Sequence, residues 1–539
     1  MMSRQPQPLA SFLPEHAQFL GVSLEHRAAA KNQGTEGNQR TEGSHRAGEN
    51  QKQTEVAGIA IDSRQVMPGD LFVARTGKVS RGRDHVQQAA EKGALAVLTD
   101  DPAVSEETLG LPVVFLEDLD GQISEIAGRF FGAPSDRLCV TGITGTNGKT
   151  TCCYWYSWLC NQLGKPCGQI GTLGVGSVSA NKESLHSPSP LVSTGYTTPD
   201  AVTVQRLLAE IQASGAAAVA MEVSSHALDQ GRVAGVHFDT AIFTNLSQDH
   251  LDYHVDMERY FDAKSRLFQS ADLSCAVLNV DDPTYSALKA RLAPNTKCVG
   301  YSLQVSAADI YLEQKKWVEG GAQLTFAGEF GRSEAFVPIV GEYNLANLLA
   351  VMAALLASGV SLTDLVEMIS ALPAVPGRLQ RLSRPGVPTV IVDFAHTPDA
   401  VSKALQALRP SCSGRLIAIV GCGGNRDASK RPIMAHAAVR SANVCWFTSD
   451  NPRDEDPLII LKGMTDGLSK AERATVNVVV DRKQAIQHAV QSAHADDLVV
   501  ILGKGHENYQ EVNGQRHPHD DAVFAQQVLE ALSDHGGAA

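Results

Sequence analysis

A chain of 539 residues is too long for one hydrophobic core and divides into roughly three domains. With 43% hydrophobic and 19% charged residues, its composition is that of an ordinary soluble globular protein. The formal net charge of −13 sets nucleic acid aside as the main partner, because binding along a phosphate backbone needs a basic face, but a few local cations still suffice for a small anionic substrate.

The N-terminus lacks an apolar signal core, and no stretch reaches the roughly 18 uncharged apolar residues of a membrane span, so a cytoplasmic protein without membrane insertion is expected. Ten cysteines lack metal-type pairing; Cys152 and Cys153 are adjacent and Cys422 stands alone among glycines, which suits reduced thiols. Pro8 to Leu24 carry an amphipathic, helix-like pattern. Lys31 to Thr54 hold a single apolar residue, Ala47, too little to offset ordering entropy, and predict a solvated, disordered insertion at about 28–56. Gly58 to Arg64 and Pro68 to Ala74 read as two short strands around a turn, opening a small α/β domain over 1–135. From Leu138 to about Pro376 strands and helices alternate, as in a doubly wound sheet, giving a central domain over 136–382. Gly377-Arg378 leads into a third, Rossmann-like α/β region over 383–539, with strands at Val390–Asp393, Leu416–Val420, Val444–Thr448 and Leu498–Leu502. The expected fold class is α/β throughout.

The segment from Leu138 to Thr151 is the most informative. A buried apolar strand runs into Gly145-Thr146-Asn147-Gly148 and then Lys149-Thr150-Thr151 at the start of a helix that stops at Gly164. The glycines let backbone N–H groups approach oxyanions, Lys149 supplies a point charge, Thr150 a hydroxyl for Mg²⁺, and the helix N-terminus its partial positive charge. Ile143 stands where the general P-loop pattern has its first Gly, so this is a variant of the common ATP loop. Two further strand ends in this region deliver polar residues: Glu222-Val-Ser-Ser-His226 follows one, and Asn245 to His254 follows the other. Ligands of open α/β sheets gather at the carboxyl ends of strands, so these clusters are expected to converge with the loop. His250 and His254 have the spacing of a zinc helix, but Leu251 occupies the place of the zincin Glu, which disfavours that chemistry. By position alone Lys264 reads as an ordinary helix-surface lysine.

The variant Thr-Gly-Thr-Asn-Gly-Lys-Thr-Thr resembles the ATP loop of the Mur ligase family, the ATP-dependent amide-forming enzymes of peptidoglycan synthesis, and the resemblance extends from about Gly58 to the C-terminus. It implies an ATP-binding, Mg²⁺-using ligase of cell-wall biogenesis, and through it of cell shape and division. The site residues it implies carry over one by one. Gly145 to Thr151 would hold the ATP phosphates, with Asn344, Asn347 and Arg378 on the nucleotide side, although Tyr343 stands where His is common. Lys149, Glu222, His250 and Lys264 would be the catalytic group. Lys264 follows the Asp-His-Leu-Asp-Tyr-His motif at the spacing of a lysine that CO₂ converts to N6-carboxylysine, and the metal set would be Thr150, Glu222, His250 and Lys264. Burial would favour the neutral amine that carbamylation needs. Ile61, Ser63, Thr197, Thr198, Ser224, Gln230 and Arg232 match positions that hold the UDP-muramoyl-dipeptide. The loop from Gly77 to Gly82 departs from the His-Gln-Ala-Asp-Gly pattern on the uridine side.

The third region discriminates within the family. Its strand ends offer Gly421 to Arg426, then Asp450-Asn451-Pro452-Arg453, then Gly503-Lys-Gly-His-Glu507. Arg426 occupies the third-glycine position of a dinucleotide fingerprint, so that reading is set aside. Asp-Asn-Pro-Arg resembles the signature of the members that add meso-diaminopimelate. Arg426, Asp450, Asn451, Pro452, Arg453, Gly503 and Glu507 would form its site, Arg for a carboxylate and Glu or Asp for an ammonium. The alternatives are an L-lysine-adding member, a folate-polyglutamating relative, and a nucleotide-binding regulatory protein without catalysis. The last would need the loop but neither Lys264 nor the third-region residues.

Overall fold

The computed structural model describes residues 5–19, 52–77, 81–105, 109–178 and 191–536. The chain forms two compact units, Met1–Leu278 with Thr284–Cys298, and Asn279–Pro283 with Val299–Ala539. Both are mixed α/β structures built on parallel strands.

In the first unit, strands Val113–Phe115, Ala96–Thr99, Asp70–Ala74 and Gly58–Ala60 run parallel in that order, with Gln18–Phe19 antiparallel at one edge. Gly58–Ala60 and Asp70–Ala74 are therefore parallel neighbours and not a hairpin. The amphipathic helix expected from Pro8 is absent among the described residues. Pro8 and Pro14 confine helical geometry to one 3₁₀ turn, Leu9–Ser11, while Leu9, Phe12 and Leu13 still bury their side chains. The expected insertion lies outside the described residues except for its last few. There Glu55–Val56 pairs antiparallel with Gln7–Pro8, and Val56 is fully buried, so its ordered C-terminal boundary precedes Val56.

A second sheet of this unit runs Cys167–Gly171, Ala218–Glu222, Cys139–Thr144, Thr240–Phe243, Cys275–Asn279, all parallel, with Gly174–Ser177 antiparallel beside the first. The Lys149–Gln162 helix follows the Cys139–Thr144 strand. It buries Trp155, Trp158 and Leu159, and it ends where Gly164 takes φ +72 and the Lys165 N–H closes on the Cys160 carbonyl at 2.9 Å.

The second unit carries an antiparallel meander, Ile310–Val318, Gly321–Gly328 and Ser333–Val337, and a six-stranded sheet. Its order is Gln380–Leu382, Thr389–Asp393, Leu498–Leu502, Leu416–Val420, Val444–Phe447, Val476–Val478, parallel except for the first strand. Its central strands read as unbroken apolar runs because both faces are covered. Leu416, Ala418 and Val420 enter one core, and Ile417 and Ile419 enter the other. The chain steps from Thr389–Asp393 over Leu498–Leu502 to Leu416–Val420, which leaves a crevice at their carboxyl ends.

Candidate active site

The loop after Cys139–Thr144 is shaped by the segment after Thr240–Phe243. The Thr146 N–H donates to the Asn245 carbonyl at 2.8 Å, the Asn147 N–H donates to the Asn245 side-chain oxygen at 3.1 Å, and the Thr244 hydroxyl donates to the Asn147 carbonyl at 2.5 Å. Gly145, at φ +141, is obligatory, because a Cβ there would run into the Thr244 hydroxyl. Gly148 caps the helix at φ +91, and Thr151 is buried behind the loop. Lys149 Nζ donates to the carbonyls of Gly145 and Thr146, both at 2.9 Å.

Glu222 ends the Ala218–Glu222 strand with its residue only 1% exposed. Its carboxylate accepts from the Thr150 hydroxyl at 2.9 Å, the Thr172 N–H at 2.7 Å and the Thr172 hydroxyl at 3.2 Å. A side chain at Gly171 would collide with that carboxylate. The Thr150–Glu222 pair thus offers neighbouring hydroxyl and carboxylate oxygens at the helix N-terminus, donors of the kind a hard divalent cation takes. Among the described residues no three His, Cys, Asp or Glu side chains gather into a metal-binding group.

Lys264 is not a surface lysine. It sits on the inner face of Met257–Ser265 at 1% exposure, where Nζ donates to the Gly145 carbonyl at 2.8 Å and lies 4.6 Å from the centre of the Tyr260 ring. Burial, reinforced by the charge of Lys149, holds its ammonium well below the ordinary lysine range. The Tyr260 hydroxyl lies 3.2 Å from that of Thr146, and burial pushes the phenol up to about 12. Nothing in the sequence marks Tyr260. It lies one helical turn before Lys264 on the same face, which places its ring against Nζ.

His250 follows the Thr240–Phe243 strand, ahead of the Leu251–His254 turn. Its backbone is left-handed at φ +53, and its half-exposed ring lies 3.6 Å from Asp249, with ring centres 4.9 Å from His226 and 6.1 Å from Tyr260. The ring therefore lies among Asp249, His226 and Tyr260, beside the helix that carries Lys264. His254 is buried and bonded to the Ser225 hydroxyl at 2.9 Å, a core histidine. Burial, with His250, His254 and Arg232 nearby, lowers His226 to about 4, so its imidazole is neutral near pH 7.

The residues expected to hold a muramoyl-dipeptide form one network in this unit. Thr198 donates to the Glu222 carbonyl at 2.8 Å and accepts from the Ser224 N–H at 3.1 Å. Arg232 donates to the Thr198 carbonyl at 2.8 Å and to the Gln230 side-chain oxygen at 2.7 and 3.0 Å, and Thr197 accepts from Thr172 at 3.1 Å. Ser224 also caps the Ser225–Asp229 helix. Ile61 and Ser63 lie apart from this network, in the first sheet region. Ser63 is buried against Gln88 at 2.6 Å, and the neighbouring Asp62 pairs with Arg64 at 2.7 Å. Lys78, Val79 and Ser80 of the departing loop lie outside the described residues.

In the second unit Asn344 and Asn347 are buried on the Glu342–Ala357 helix, with Asn347 donating to Asn344 at 3.3 Å and Asn344 to the Val340 carbonyl at 3.1 Å. The Arg378 guanidinium lies 4.7 Å from the Phe394 ring centre.

A cavity of about 510 Å³ opens at the carboxyl ends of the six-stranded sheet, and it gathers Arg426, Asp450, Asn451, Arg453, Gly503 and Glu507. Pro452 is buried, and a side chain at Gly424 would collide with its carbonyl. Arg453, at φ +52, donates to the Gly424 carbonyl at 2.8 Å and lies 3.6 Å from Glu511. Asn451 Nδ2 donates to Glu507 Oε2 at 2.9 Å. Burial alone would raise the Glu507 carboxyl, but the hydrogen bond and charge of Lys504, with Asn451, hold it below the usual range. Three further cations stand at this crevice without a sequence motif to mark them. Lys504 is fully buried, Arg431 lines the cavity and bonds Glu455 at 2.7 Å, and Arg482 lies beneath. Arg482 donates to the carbonyls of Ser449 at 3.3 Å and Leu502 at 3.0 Å, the residues just before Asp450 and Gly503.

Three family models match the chain in order: the catalytic domain of the Mur ligase family at 55–120, the Mur ligase middle domain at 143–355, and the Mur ligase glutamate ligase domain at 377–505. The UDP-N-acetylmuramoyl-L-alanyl-D-glutamate–2,6-diaminopimelate ligase of Ectopseudomonas mendocina is 43% identical over 477 residues, 88% of this chain and 95% of that protein. The chain belongs to the Mur ligase family. The enzyme of the same description from Pseudomonas aeruginosa is also 43% identical, over 88% of this chain and 95% of that protein. A solved structure of a UDP-N-acetylmuramoyl-L-alanyl-D-glutamate–2,6-diaminopimelate ligase superposes with a TM-score of 0.66 at 33% identity, covering 95% of this chain and 99% of the other. As a Mur ligase the protein is an ATP-dependent, amide-forming ligase, and its fold is the multidomain Mur ligase fold. No helix among the described residues is long and apolar enough to cross a membrane.

Proposed function

We propose that this Mur ligase joins an amine of meso-diaminopimelate to the D-glutamate γ-carboxylate of UDP-N-acetylmuramoyl-L-alanyl-D-glutamate in the cytoplasmic synthesis of peptidoglycan precursors. The choice of amino acid rests on the crevice of the second unit, where Arg426, Asn451, Arg453 and Glu507 line one cavity. Diaminopimelate carries a second carboxylate and ammonium beyond its reacting amine, and this set pairs with both. Similarity to relatives of that description over 88% of the chain supports the same reading.

The reaction has two steps. A γ-carboxylate oxygen attacks the γ-phosphorus of ATP, the bond to the β–γ bridging oxygen breaks, and an acyl phosphate and ADP result. The neutral amine then attacks the acyl carbon, phosphate departs with the C–O pair, and the amine loses a proton. Lys149 and the Gly145–Thr151 loop neutralise and position the transferring phosphoryl group. Lys264 acts as its carbamate. Mg²⁺ suits the oxygens of Thr150 and Glu222 with that carbamate and His250 completing the set, and when bound it supplies positive charge beside the phosphates. Region 1–135 takes the UDP end through Ile61 and Ser63, and region 136–382 takes ATP, with Asn344, Asn347 and Arg378 on its adenine side. Thr197, Thr198, Ser224, Gln230 and Arg232 take the dipeptide, and region 383–539 takes the amino acid.

The test is phosphate release that requires ATP, the UDP-muramoyl-dipeptide and meso-diaminopimelate together, with the new amide identified by mass. Phosphate release at the same rate without the amino acid would sink the reading.

A further inference from the structure

Lys504 lies behind the wall of the proposed amino-acid crevice, against two residues that line it, Asn451 and Glu507. Its side chain is 0% exposed, and Nζ donates to Asn451 Oδ1 at 3.0 Å and to Glu507 Oε2 at 2.8 Å. Nζ also lies 5.5 Å from the centre of the Tyr509 ring. The turn that brings it there needs two left-handed residues, Gly503 at φ +113 and Gly505 at φ +54. Asn451 Oδ1 accepts a second bond from the Glu511 N–H at 2.9 Å, so its Nδ2 is committed to Glu507 Oε2. Glu507 Oε2 therefore takes two donors, while Oε1 carries no such bond among the described residues, and Glu507 lines the cavity.

We infer that Lys504 is a positioning residue for amino-acid selection. It keeps Glu507 ionised and fixes the carboxylate by one oxygen, leaving the other to receive an ammonium group of the incoming amino acid. This rests on the assignment of the crevice to the amino acid and adds how its anion is prepared. Arg482 and His506 also act on Glu507, but Lys504 is the cation bonded to it. Without that bond a carboxylate of low exposure is pushed toward its neutral acid, which no longer pairs with an ammonium and is free to turn. A purely structural lysine would act on stability alone. A lysine that merely competed for Glu507 would weaken ligand binding, and its removal would tighten it.

Lys504→Met is compared with the full-length wild type in steady-state kinetics from pH 6 to 9. The expected result is a tenfold or larger rise in KM for meso-diaminopimelate, with KM for ATP and for the UDP-muramoyl-dipeptide within twofold of wild type. An acid limb should also appear in kcat/KM for the amino acid that the wild type lacks, as the Glu507 carboxyl moves up. In a Glu507→Gln background, Lys504→Met should produce little further change, because its target is gone. Lys504→Gln, which keeps a donor but no charge, carries the same test if the Met variant fails to fold, and it should also show the acid limb. An unchanged or lower KM for the amino acid, or an equal rise in both Glu507 backgrounds, overturns the inference. Failure of the wild type to use meso-diaminopimelate overturns the functional reading instead, and the Lys504 comparison is then made with the amino acid it does use.

Discussion

The Asp521 carboxylate accepts two parallel hydrogen bonds from Arg482, at 2.8 and 2.7 Å, with the Arg482 side chain 1% exposed and that of Asp521 0%. His519 Nε2 lies 2.7 Å from the same carboxylate, and the remaining Arg482 donors reach the two strand ends that launch the crevice loops. A buried bidentate pair contributes little net stability against an apolar replacement, but breaking it leaves an uncompensated charge. Arg482→Met should therefore cost about 3–5 kcal/mol, and pairing it with Asp521→Leu should recover much of that loss. Denaturant midpoints of the single and double variants decide the point; a single variant within about 1 kcal/mol of wild type contradicts it.

The same pair sets a pH dependence. Burial alone would raise the Asp521 carboxyl, but Arg482 and His519 override it and hold the group well below the carboxylate range. A depressed folded pKa adds stability that is fully present above the unfolded value of about 3.9 and is lost as pH falls below it toward the folded value. Asp521→Asn should accordingly be less stable at pH 7 and show a shallower loss between about pH 4 and pH 2 than wild type. Parallel acid limbs in the two proteins would exclude this carboxylate as a contributor.

Lys149→Ala should lower turnover by several orders of magnitude while leaving the circular dichroism spectrum intact, because the loop keeps its bonds to Thr244 and Asn245. Near-normal turnover would remove the loop from the chemistry.

The Lys264 amine is held well below its ordinary pKa by burial and the Lys149 charge, which favours the neutral amine that reacts with CO₂. Protein exchanged into CO₂-free buffer should lose activity and regain it with bicarbonate. Labelled bicarbonate should give a carbamate carbon resonance that is absent in Lys264→Ala. That variant should be nearly inactive and partly restored by a short carboxylic acid. An active, substrate-bound enzyme with an unmodified ammonium at Lys264 would refute the assignment.

Arg453→Ala should raise KM for meso-diaminopimelate steeply and leave KM for ATP unchanged. L-Lysine lacks the distal carboxylate, so the wild type should reject it by on the order of 10⁴-fold, because accepting it leaves cations of the crevice unpaired. Competition kinetics with both amino acids measure the ratio directly; comparable use of L-lysine would show that the crevice is read wrongly.

The strands around the crevice were legible because a sheet covered on both faces writes itself as apolar runs. Leu416–Val420 and Leu498–Leu502 fall where the sequence places them, and Val444–Phe447 ends one residue early. Gly145 and Gly148 marked a tight strand-to-helix loop because both take positive φ and a Cβ at Gly145 meets the Thr244 hydroxyl. Less local facts were hidden. Whether Lys264 points in or out depends on which face of Met257–Ser265 meets the loop, a tertiary matter. Lys504 stands three residues before Glu507 in a motif that was read for its ends, and only the turn at Gly503 and Gly505 folds it onto Asn451. The segment from Pro8 has a real apolar spacing, but its prolines allow no helix beyond one turn.

Both Lys149 and Lys264 donate to the single carbonyl oxygen of Gly145, at 2.9 and 2.8 Å. Two lysine amines on one acceptor, one of them buried, disfavour the doubly protonated loop, and burial with the Lys149 charge holds the Lys264 ammonium well below its ordinary range. A polyanion arriving at the unmodified loop relieves that repulsion and draws a proton from solution. The enthalpy of nucleotide binding should then vary with the ionisation enthalpy of the buffer, in the direction of proton uptake. Replacing Lys264 by Met should abolish that dependence.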